Sequence, residues 1–187
     1  MSTADEIAEL LVHLGRAARS EDGNAQLTPA QWTALRYLAR ANTASRTPSA
    51  FASFHATTRG TATQTLKALE AKGLIERCAG IKDGRSVCFN LTAAGQSLLC
   101  EDPLRDLTQA LLSLPPALQS GLCEAVPLLV AALANRRQTP SFGSCQDCRH
   151  FDCSDSAAYC ACMARVIAAT ETESLCINFN SEPPKLR

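Results

Sequence analysis

The 187-residue sequence predicts a mainly α-helical fold with one small β-hairpin, followed by a small cysteine-rich module at the carboxyl end. Apolar residues recur every three to four positions through most of residues 1–139, as on the buried side of helices. The period changes to two in a short stretch after Gly73, as in strands. Six of the ten cysteines lie between Cys145 and Cys176. We therefore expect two domains, residues 1–139 and residues 140–187.

Three helices are expected in the first third of the chain. TADEIAELLVHLGRAAR has one apolar stripe that we expect to be buried, with Thr3 as N-cap and Glu6 completing a capping box. Thr28 and Thr47 are the expected N-caps of the next two helices, because a proline follows each and proline favours the first helical position. The expected inward face of the second helix is Trp32, Leu35 and Leu38.

A fourth helix is expected in TTRGTATQTLKALEAKGLIER. Thr57 or Thr58 caps it, it runs to about Lys72, and Gly73 is the expected left-handed C-cap. Its buried side would be Ala62, Leu66 and Leu69. The remaining surface of this helix is then short and polar, with a single lysine.

After Gly73, LIERCAG and SVCFNLT predict two strands joined by IKDGR, in which Asp83-Gly84 is a strong hairpin signal. TAAGQSLLCEDPLRDLTQALLSL and PPALQSGLCEAVPLLVAALANRR then predict two helices rich in leucine and alanine. Helices as apolar as these usually pack against a partner chain when they lie outside a compact core. The carboxyl-terminal helices are therefore expected to form a dimerisation region.

The net charge of zero hides an uneven distribution. Residues 36–90 carry nine basic and three acidic side chains, a net charge of +6. Residues 1–35 and residues 91–135 each carry a net charge of −3. A polyanion such as nucleic acid would be drawn to the middle block alone.

Three short helices followed by a β-hairpin form a winged helix-turn-helix, which suits duplex DNA. A helix fits the major groove, where short polar side chains reach base edges, while lysine and arginine neutralise phosphates. The candidate DNA-binding residues are Arg59, Thr61, Thr63, Gln64 and Lys67 on the fourth helix and Lys82, Asp83 and Arg85 in the hairpin. An ordinary solvated helix would show the same polar face, so that alternative stays open.

Over about residues 5–135 the chain resembles the MarR family of bacterial transcription regulators. The most specific part of the resemblance is LEAKGLIER, then DGR in the wing, then LTAAG. The resemblance implies an obligate homodimer, built from the terminal helices, that binds pseudo-palindromic operators in double-stranded DNA. It also implies that the helix from about Thr58 to Lys72 is the recognition helix, and that Asp83 holds Arg85 for the minor groove. Phe51 and Phe54 depart from the smaller aliphatic residues that the family often has before that helix.

The cysteine-rich module has the spacing Cys-x2-Cys-x4-Cys-x6-Cys-x-Cys-x13-Cys. A Cys-x2-Cys pair lets two thiolates face one metal from a tight turn. CRHFD and CINFN share Cys-x-x-Phe followed by Asp or Asn, which predicts two ligand-bearing turns, and ACMARVIAAT between them predicts a short helix. The favoured metal ligands are Cys145, Cys148, Cys160 and Cys176, with Cys153 and Cys162 as alternates.

The spacing favours an iron–sulfur cluster, most simply a 4Fe–4S cluster, over zinc. A structural zinc site normally shows two close cysteine pairs, and only one is present here. A cluster tolerates one pair with two distant single cysteines. A 2Fe–2S cluster, zinc and a bare thiol switch remain alternatives. His150 could serve as a ligand, but it is expected either to support the ligands from behind or to face solvent. The module also resembles small Cys-x2-Cys-x-x-Phe…Cys-x-x-Phe modules appended to bacterial proteins.

The sequence also makes predictions about the other four cysteines, the location of the protein and enzymatic activity. Cys78, Cys88, Cys100 and Cys123 are expected to be small core residues without disulfides, because the cytoplasm keeps thiols reduced. The acidic start MSTADEIAEL does not resemble a secretory signal. No run of apolar residues is expected to be long enough to span a membrane. We therefore expect a cytoplasmic protein without a membrane partner. Neither a nucleophile–base constellation nor a nucleotide-binding glycine loop indicates an enzyme.

These expectations combine into one functional hypothesis. The chain is expected to be a dimeric DNA-binding regulator whose iron–sulfur cluster senses redox state, oxygen, nitric oxide or iron, through altered packing of the module against the dimerisation helices. The alternative is a MarR-type repressor that responds to a small aromatic ligand and carries a structural zinc.

Overall fold

The computed structural model describes residues 2–18, 26–79, 87–153 and 157–180. In this part of the chain the α-helices are α1 (Thr3–Ala17), α2 (Pro29–Arg40), α3 (Pro48–Phe54), α4 (Arg59–Ala71), α5 (Ala93–Leu98), α6 (Leu104–Leu112) and α7 (Pro116–Arg137). The strands are β1 (Ile75–Ala79), β2 (Val87–Leu91), β3 (Gly143–Ser144), β4 (Phe151–Asp152), β5 (Tyr159–Cys160), β6 (Arg165–Val166) and β7 (Leu175–Cys176). The predicted fold class, mainly helical with a small hairpin, is confirmed.

Most helix starts follow the predicted caps. Thr28 and Thr47 cap α2 and α3, and Thr58 rather than Thr57 caps α4. Gly73 follows α4 with a left-handed φ of 69°, as its C-cap position requires. The start of α1 differs, because Ser2 is the N-cap and forms the capping box with Asp5. The serine hydroxyl accepts the Asp5 amide, so the capping box lies one residue earlier than the predicted Thr3–Glu6 pair.

The core lies where α2, α3, α4 and the hairpin meet. The predicted inward faces of α2 and α4 are buried, and Leu35, Leu66 and Leu69 are fully so. Tyr37 lies among aromatic rings, with its centroid 5.5 Å from that of Phe51. Burying side chains of this size is the main favourable term in folding, about 1.5–3 kcal/mol each. The recognition helix predicted from sequence is therefore held rigidly against the core by one face.

The hairpin consists of β1 and β2 paired antiparallel, with Cys78 opposite Cys88. These two cysteines form a disulfide, and Cys100 and Cys123 are exposed. The expectation of four unpaired core thiols is therefore wrong. It failed because the strand register, which sequence spacing alone did not supply, brings two of them face to face. The hairpin turn at residues 80–86, with Lys82, Asp83 and Arg85, lies outside the described residues.

The predicted helix over TAAGQSLLCEDPLRDLTQALLSL is divided into α5 and α6. Pro103 lies at the division, and a proline inside a helix removes a backbone donor and clashes with the preceding turn. Asp102 accepts the Leu104 amide at 2.9 Å and a charged hydrogen bond from Arg36 at 2.7 Å. The side chain of Asp102 thus starts α6 and ties it to α2.

The apolar faces of α1, α6 and α7 are exposed in the single chain. No residue of α1 is buried, and Leu10 keeps 65% of its surface exposed. We expected the apolar stripe of α1 to be buried, but in a single chain it is exposed. α7 has 22 residues, and an 18-residue stretch of it has a mean hydropathy of 1.6 and is 6% buried. By length and composition this helix could cross a membrane, contrary to expectation. Surfaces of this kind need a covering partner.

The cysteine-rich module is built from very short strands and 3-10 turns. β3 pairs with β7, and β5 lies between β4 and β6, all antiparallel. The predicted helix over ACMARVIAAT is absent: this segment forms β6 and a 3-10 turn at Ala169–Glu171. Ala164 has a positive φ of 49°, which a helix does not allow, and its turn directs β6 back along β5.

Candidate nucleic-acid interface and thiol pocket

The outward surface of α4 contains most of the predicted DNA-binding residues. Because Ala62, Leu66 and Leu69 pack inward, the helical period turns Gln64 and Lys67 away from the core. Arg59, Thr61, Gln64 and Lys67 are exposed. A short polar face with two cations is the arrangement that a helix needs to enter a major groove.

Two threonines on α4 are less available than the sequence suggested. The Thr63 hydroxyl donates to the Arg59 carbonyl at 2.7 Å, and this side chain is half-buried. The Thr61 hydroxyl lies 2.9 Å from that of Thr58, the N-cap. Gln64 and Lys67 are therefore the better placed pair for a base edge and a phosphate.

Part of the basic block is engaged within the chain. Arg36 pairs with Asp102, and Arg77 pairs with Glu70 at 2.8 Å. Among the described residues of the block, four basic side chains have intramolecular partners: Arg36, Arg46, Lys72 and Arg77. Arg40, Arg59 and Lys67 are exposed. Two of these exposed cations, Arg59 and Lys67, lie on α4.

Four cysteines of the module line one small pocket, which we call the thiol pocket. Its lining is Cys145, Cys148, Cys160 and Cys176 together with Phe151, Ile167 and Asn178. A 3-10 turn positions the first two cysteines, and β5 and β7 position the others. The structure thus brings together the four favoured ligands. Cys153 and Cys162 are exposed and are not part of the lining.

The two Cys-x-x-Phe sequences form matching turns. The Phe151 amide donates to the Cys148 carbonyl at 2.9 Å, and the Phe179 amide donates to the Cys176 carbonyl at 3.3 Å. Phe179 lies so close to Gly143 that a Cβ there would be 2.5 Å from its ring. The aromatic rings therefore shield the sulfurs, and glycine at 143 permits the close approach.

Hydrogen bonds and burial control the charge on these sulfurs. The Asn180 amide donates to the Cys148 sulfur at 3.4 Å, and the Asn42 side-chain amide donates to the Cys145 sulfur at 3.6 Å. Burial raises the pKa of the Cys145 thiol, although the hydrogen bond from Asn42 lowers it, and nearby Cys176 raises it further. Metal ligation requires thiolates. A bound cation would supply the compensating positive charge.

Among the described residues, the thiol pocket does not have the arrangement of a site for one metal ion. A single zinc with sulfurs at about 2.3 Å draws its ligands to within about 4 Å of one another. Among the described residues no group of three or more His, Cys, Asp or Glu side chains could hold a single metal ion. Cys145, Cys148, Cys160 and Cys176 line the pocket without forming such a group. His150 is half-buried and is not part of the lining.

The module docks on residues 41–47 between α2 and α3, which we call the corner segment. The Asn42 amide donates to the Leu175 carbonyl at 2.9 Å, and the Ile177 amide donates to the Ser45 hydroxyl at 2.9 Å. Leu175 is part of the main hydrophobic core. These contacts lie on the winged-helix part of the chain, whereas the sequence hypothesis had the module packing against the dimerisation helices.

Glu171 adds a charged contact at the same corner. Its carboxylate accepts hydrogen bonds from the Thr43 amide at 2.9 Å, from the Thr43 hydroxyl, and from Arg165 at 2.9 Å. Burial acts to raise the pKa of Glu171, but the hydrogen bonds from Thr43 and the charge of Arg165 outweigh it, and the pKa is lowered. The carboxylate therefore stabilises the docked module in its ionised form.

Replacing Glu171 by glutamine should destabilise the protein at neutral pH by about 1.5–3 kcal/mol, the range for hydrogen bonds to charged groups. Because the folded-state pKa lies below the ordinary glutamate value, the stabilisation is complete at neutral pH and is lost as the pH falls below that ordinary value. Urea unfolding at several pH values measures both effects. The difference between wild type and E171Q should shrink in acid, and the exposed Glu173→Gln variant should show no such difference.

Sequence reasoning missed the residues that join the module to the corner segment. Asn42 begins an Asx-type cap, since its side chain accepts the Ser45 amide at 3.0 Å, and ANTAS is a recognisable signal for that turn. No sequence signal indicates that the same side chain reaches Cys145, which is 103 residues later. Thr43 and Glu171 likewise carry no local sign of their contact.

A family model and several solved structures are similar to this chain. Residues 25–86 match the MarR family model. The chain is similar to Staphylococcus aureus MepR in a DNA complex, at 22% identity and a TM-score of 0.55, over 71% of this chain and 99% of that one. It is also similar to MepR in its DNA-binding conformation (21%, 0.59, 71% and 99%) and to the transcriptional regulator SlyA (18%, 0.56, 74% and 98%). No curated protein matches the chain.

These likenesses agree with the architecture described above. The matches cover 98–99% of the length of each of these solved structures. The family model covers α2, α3, α4 and β1. Residues 25–86 therefore match the MarR family, and the chain has the winged-helix fold of the transcription regulators MepR and SlyA.

Proposed function

We propose that the chain is a dimeric transcription regulator that binds double-stranded operator DNA, and that an iron–sulfur cluster held by four cysteines modulates this binding. One observation carries the proposal. The Cys145 sulfur, in a pocket lined by four thiols, accepts a hydrogen bond from Asn42, which belongs to the corner segment next to the DNA-binding helices. A change at the pocket therefore meets the DNA-binding part of the chain directly.

The DNA-binding half of the proposal is supported by the fold and by the surface of α4. MepR, one of the similar structures, is described in complex with DNA. Gln64 and Lys67 project from the helix that corresponds to the recognition helix. The exposed apolar faces of α1, α6 and α7 would be covered by a second copy, which would set two recognition helices one turn of DNA apart. Such a protein is a soluble, cytoplasmic, non-enzymatic regulator.

The cluster half is supported by the chemistry of the pocket. Cys145, Cys148, Cys160 and Cys176 supply the four thiolates that a 4Fe–4S cluster takes, and backbone and side-chain amides donate to two of the sulfurs. When bound, such a cluster supplies a centre that changes charge or is lost on exposure to oxidants, oxygen, nitric oxide or iron shortage. Phe151 and Ile167 line the same pocket and limit the access of water.

The corner segment contacts both the thiol pocket and the wing. Asn42 faces Cys145, and its oxygen accepts the Ser45 amide. A few residues further on, the Arg46 carbonyl accepts the Phe89 amide of β2 at 2.9 Å, and the Arg46 guanidinium donates to Asn90 at 2.9 Å. A shift of this segment would therefore move the wing relative to α4. A coupling of about 1–3 kcal/mol corresponds to a 5- to 150-fold change in affinity.

A second candidate is a repressor that responds to a small aromatic acid and carries zinc in the module. An apolar cavity of about 590 Å³ favours it. The cavity lies between the end of α3, the end of α7 and residues 139–142, and Arg137 contributes a cation to its wall. In that case metal analysis should find zinc, and chelation should unfold the module without a graded effect on DNA.

The deciding experiment compares the same protein with and without its metal. Protein purified without oxygen is used to select a duplex from randomised DNA, and its affinity is then measured by fluorescence anisotropy before and after removal of the metal. We expect a brown protein with iron and sulfide, and an affinity that changes at least 5-fold on removal. Colourless protein with zinc, or an unchanged affinity, contradicts the cluster half, and failure to select any duplex contradicts the DNA half.

The route through Asn42 makes its own prediction. Asn42→Ser retains an oxygen that can cap the Ser45 amide but loses the donor to Cys145. We expect the metal content to be retained, the reduction potential of the cluster to shift, and the affinity ratio between metal-loaded and metal-free protein to fall several-fold. Voltammetry and anisotropy measure the two effects. If the reduction potential shifts but the affinity ratio does not change, the metal site and the DNA-binding surface are coupled through residues other than Asn42.

A further inference from the structure

The two strands of the wing carry a directly opposed pair of cysteines. Cys78 in β1 faces Cys88 in β2, their Cα atoms are 5.1 Å apart, and the sulfurs are bonded. Cα separations of about 4.4–6.8 Å allow a disulfide to form and break without movement of the backbone. The pair lies one ladder step from the hairpin turn at residues 80–86, which carries the predicted DNA-contacting side chains of the wing.

This pair is separate from the thiol pocket. The other eight cysteines are free thiols, and four of them line that pocket. The two sulfurs of the pair also differ in access, because Cys88 is 2% exposed and Cys78 is half-buried. A soluble thiol would therefore reach the Cys78 side of the bond first.

We propose that Cys78 and Cys88 form a reversible dithiol–disulfide site that controls the order of the wing, independently of the metal. Disulfides in a reducing compartment are usually transient and redox-sensing, which makes a permanent structural role for this bond unexpected. The substrate class is a small dithiol for reduction and a small disulfide such as oxidised glutathione for oxidation. Its effect on operator binding rests on the proposed DNA-binding function, whereas its redox chemistry does not.

The exchange balances as two successive displacements. In oxidation, the Cys78 thiolate attacks the small disulfide and releases one small thiolate, and the Cys88 thiolate then attacks the mixed disulfide at Cys78 and releases the second. Two electrons pass from the protein to the small disulfide, and the two cysteine protons end on the two small thiols. Reduction by a dithiol reverses these steps, with the first attack at Cys78.

The consequence follows from how the wing is held. β2 is anchored to the corner segment, because the Phe89 amide donates to the Arg46 carbonyl and Asn90 accepts from the Arg46 guanidinium. The disulfide ties β1 to this anchored strand next to the turn. In the reduced state only the Ala79–Val87 pair remains between the cysteines and residues 80–86. The Ala79–Val87 end of the ladder should then open more often, and the wing should bind DNA less tightly.

The first experiment detects the Cys78–Cys88 disulfide directly. The full-length protein is equilibrated in glutathione buffers of graded potential, trapped with N-ethylmaleimide and analysed by peptide mass spectrometry. We expect Cys78 and Cys88 to change together between alkylated and linked forms, while exposed Cys100 and Cys123 stay alkylated across the same range. Constant alkylation of the pair, linkage to other cysteines, or a bond that never reduces in the folded protein would overturn the proposal.

The second experiment measures how the redox state affects the wing and its binding to DNA. Amide hydrogen exchange in residues 87–91 should be several-fold faster in the reduced protein, and affinity for the selected duplex should fall several-fold. Cys78→Ser should abolish both differences, whereas the matched variant Cys100→Ser should retain them. Equal exchange in the two redox states overturns the proposed control of the wing. If no duplex binds in either state while the exchange rates differ, the redox site stands and the DNA-binding function fails.

Discussion

Replacing Cys148 by serine should remove most of the iron from protein purified without oxygen, along with its visible absorption. Cys148 is one of four thiols around a single pocket, and its sulfur also accepts the Asn180 amide. A cluster with all four cysteine ligands in place predicts about four iron and four sulfide per chain, and the variant should retain a minor fraction of these. Cys148 is half-buried rather than buried, so the substitution leaves the main core intact.

The matched control is Cys162→Ser. Cys162 lies in the same module but is exposed and is not part of the pocket lining. Its variant should retain iron, sulfide and colour at the level of the wild type. Loss of iron in Cys162→Ser, with retention in Cys148→Ser, would mean that the ligand set differs from the four thiols of the pocket. Both measurements need only metal analysis and an absorption spectrum.

The second large effect is expected on the surface of α4. Gln64→Ala should weaken binding to the selected duplex by about 1–3 kcal/mol for each half-site, because a lost base contact leaves a specific partner unpaired. Lys67→Ala should weaken binding to all duplexes alike, because a phosphate contact carries no sequence information. The slope of log affinity against log salt concentration should decrease, for Lys67→Ala, by the amount expected for about one phosphate contact per protomer. The same slope should stay unchanged for Gln64→Ala.

Lys72→Ala is the matched control for the loss of a lysine from this region. Its ammonium group donates to the Gln26 carbonyl at 2.9 Å, so its charge is engaged within the chain. We expect its salt dependence to match the wild type, as titrations by anisotropy at several salt concentrations would show. If Lys72→Ala lowers the salt dependence as much as Lys67→Ala does, the DNA lies across the end of α4 rather than along its outward face.

Most of the winged-helix part follows from local sequence. Ala62, Leu66 and Leu69 are spaced for one buried side of a helix, and all three are buried. Thr28, Thr47, Thr58 and Gly73 carry cap signals whose hydrogen bonds or backbone angles depend on residues within one turn. Such signals are readable because their partners lie three or four positions away. The spacing of the cysteines likewise predicts the four residues that line the thiol pocket.

Contacts between residues far apart in the sequence could not be predicted from local sequence signals. Asn42 reaches Cys145 across 103 positions, and Thr43 reaches Glu171 across 128. The pairing of Cys78 with Cys88 depends on the strand register, and the exposure of the α1 stripe depends on which helices share the core of one chain. Side chains in such pairs obey no sequence period, because folding brings them together only after the helices and strands have packed. Periodicity and capping therefore account for the helices and strands, whereas the contact between the cysteine-rich module and the winged helix forms only in the packed chain.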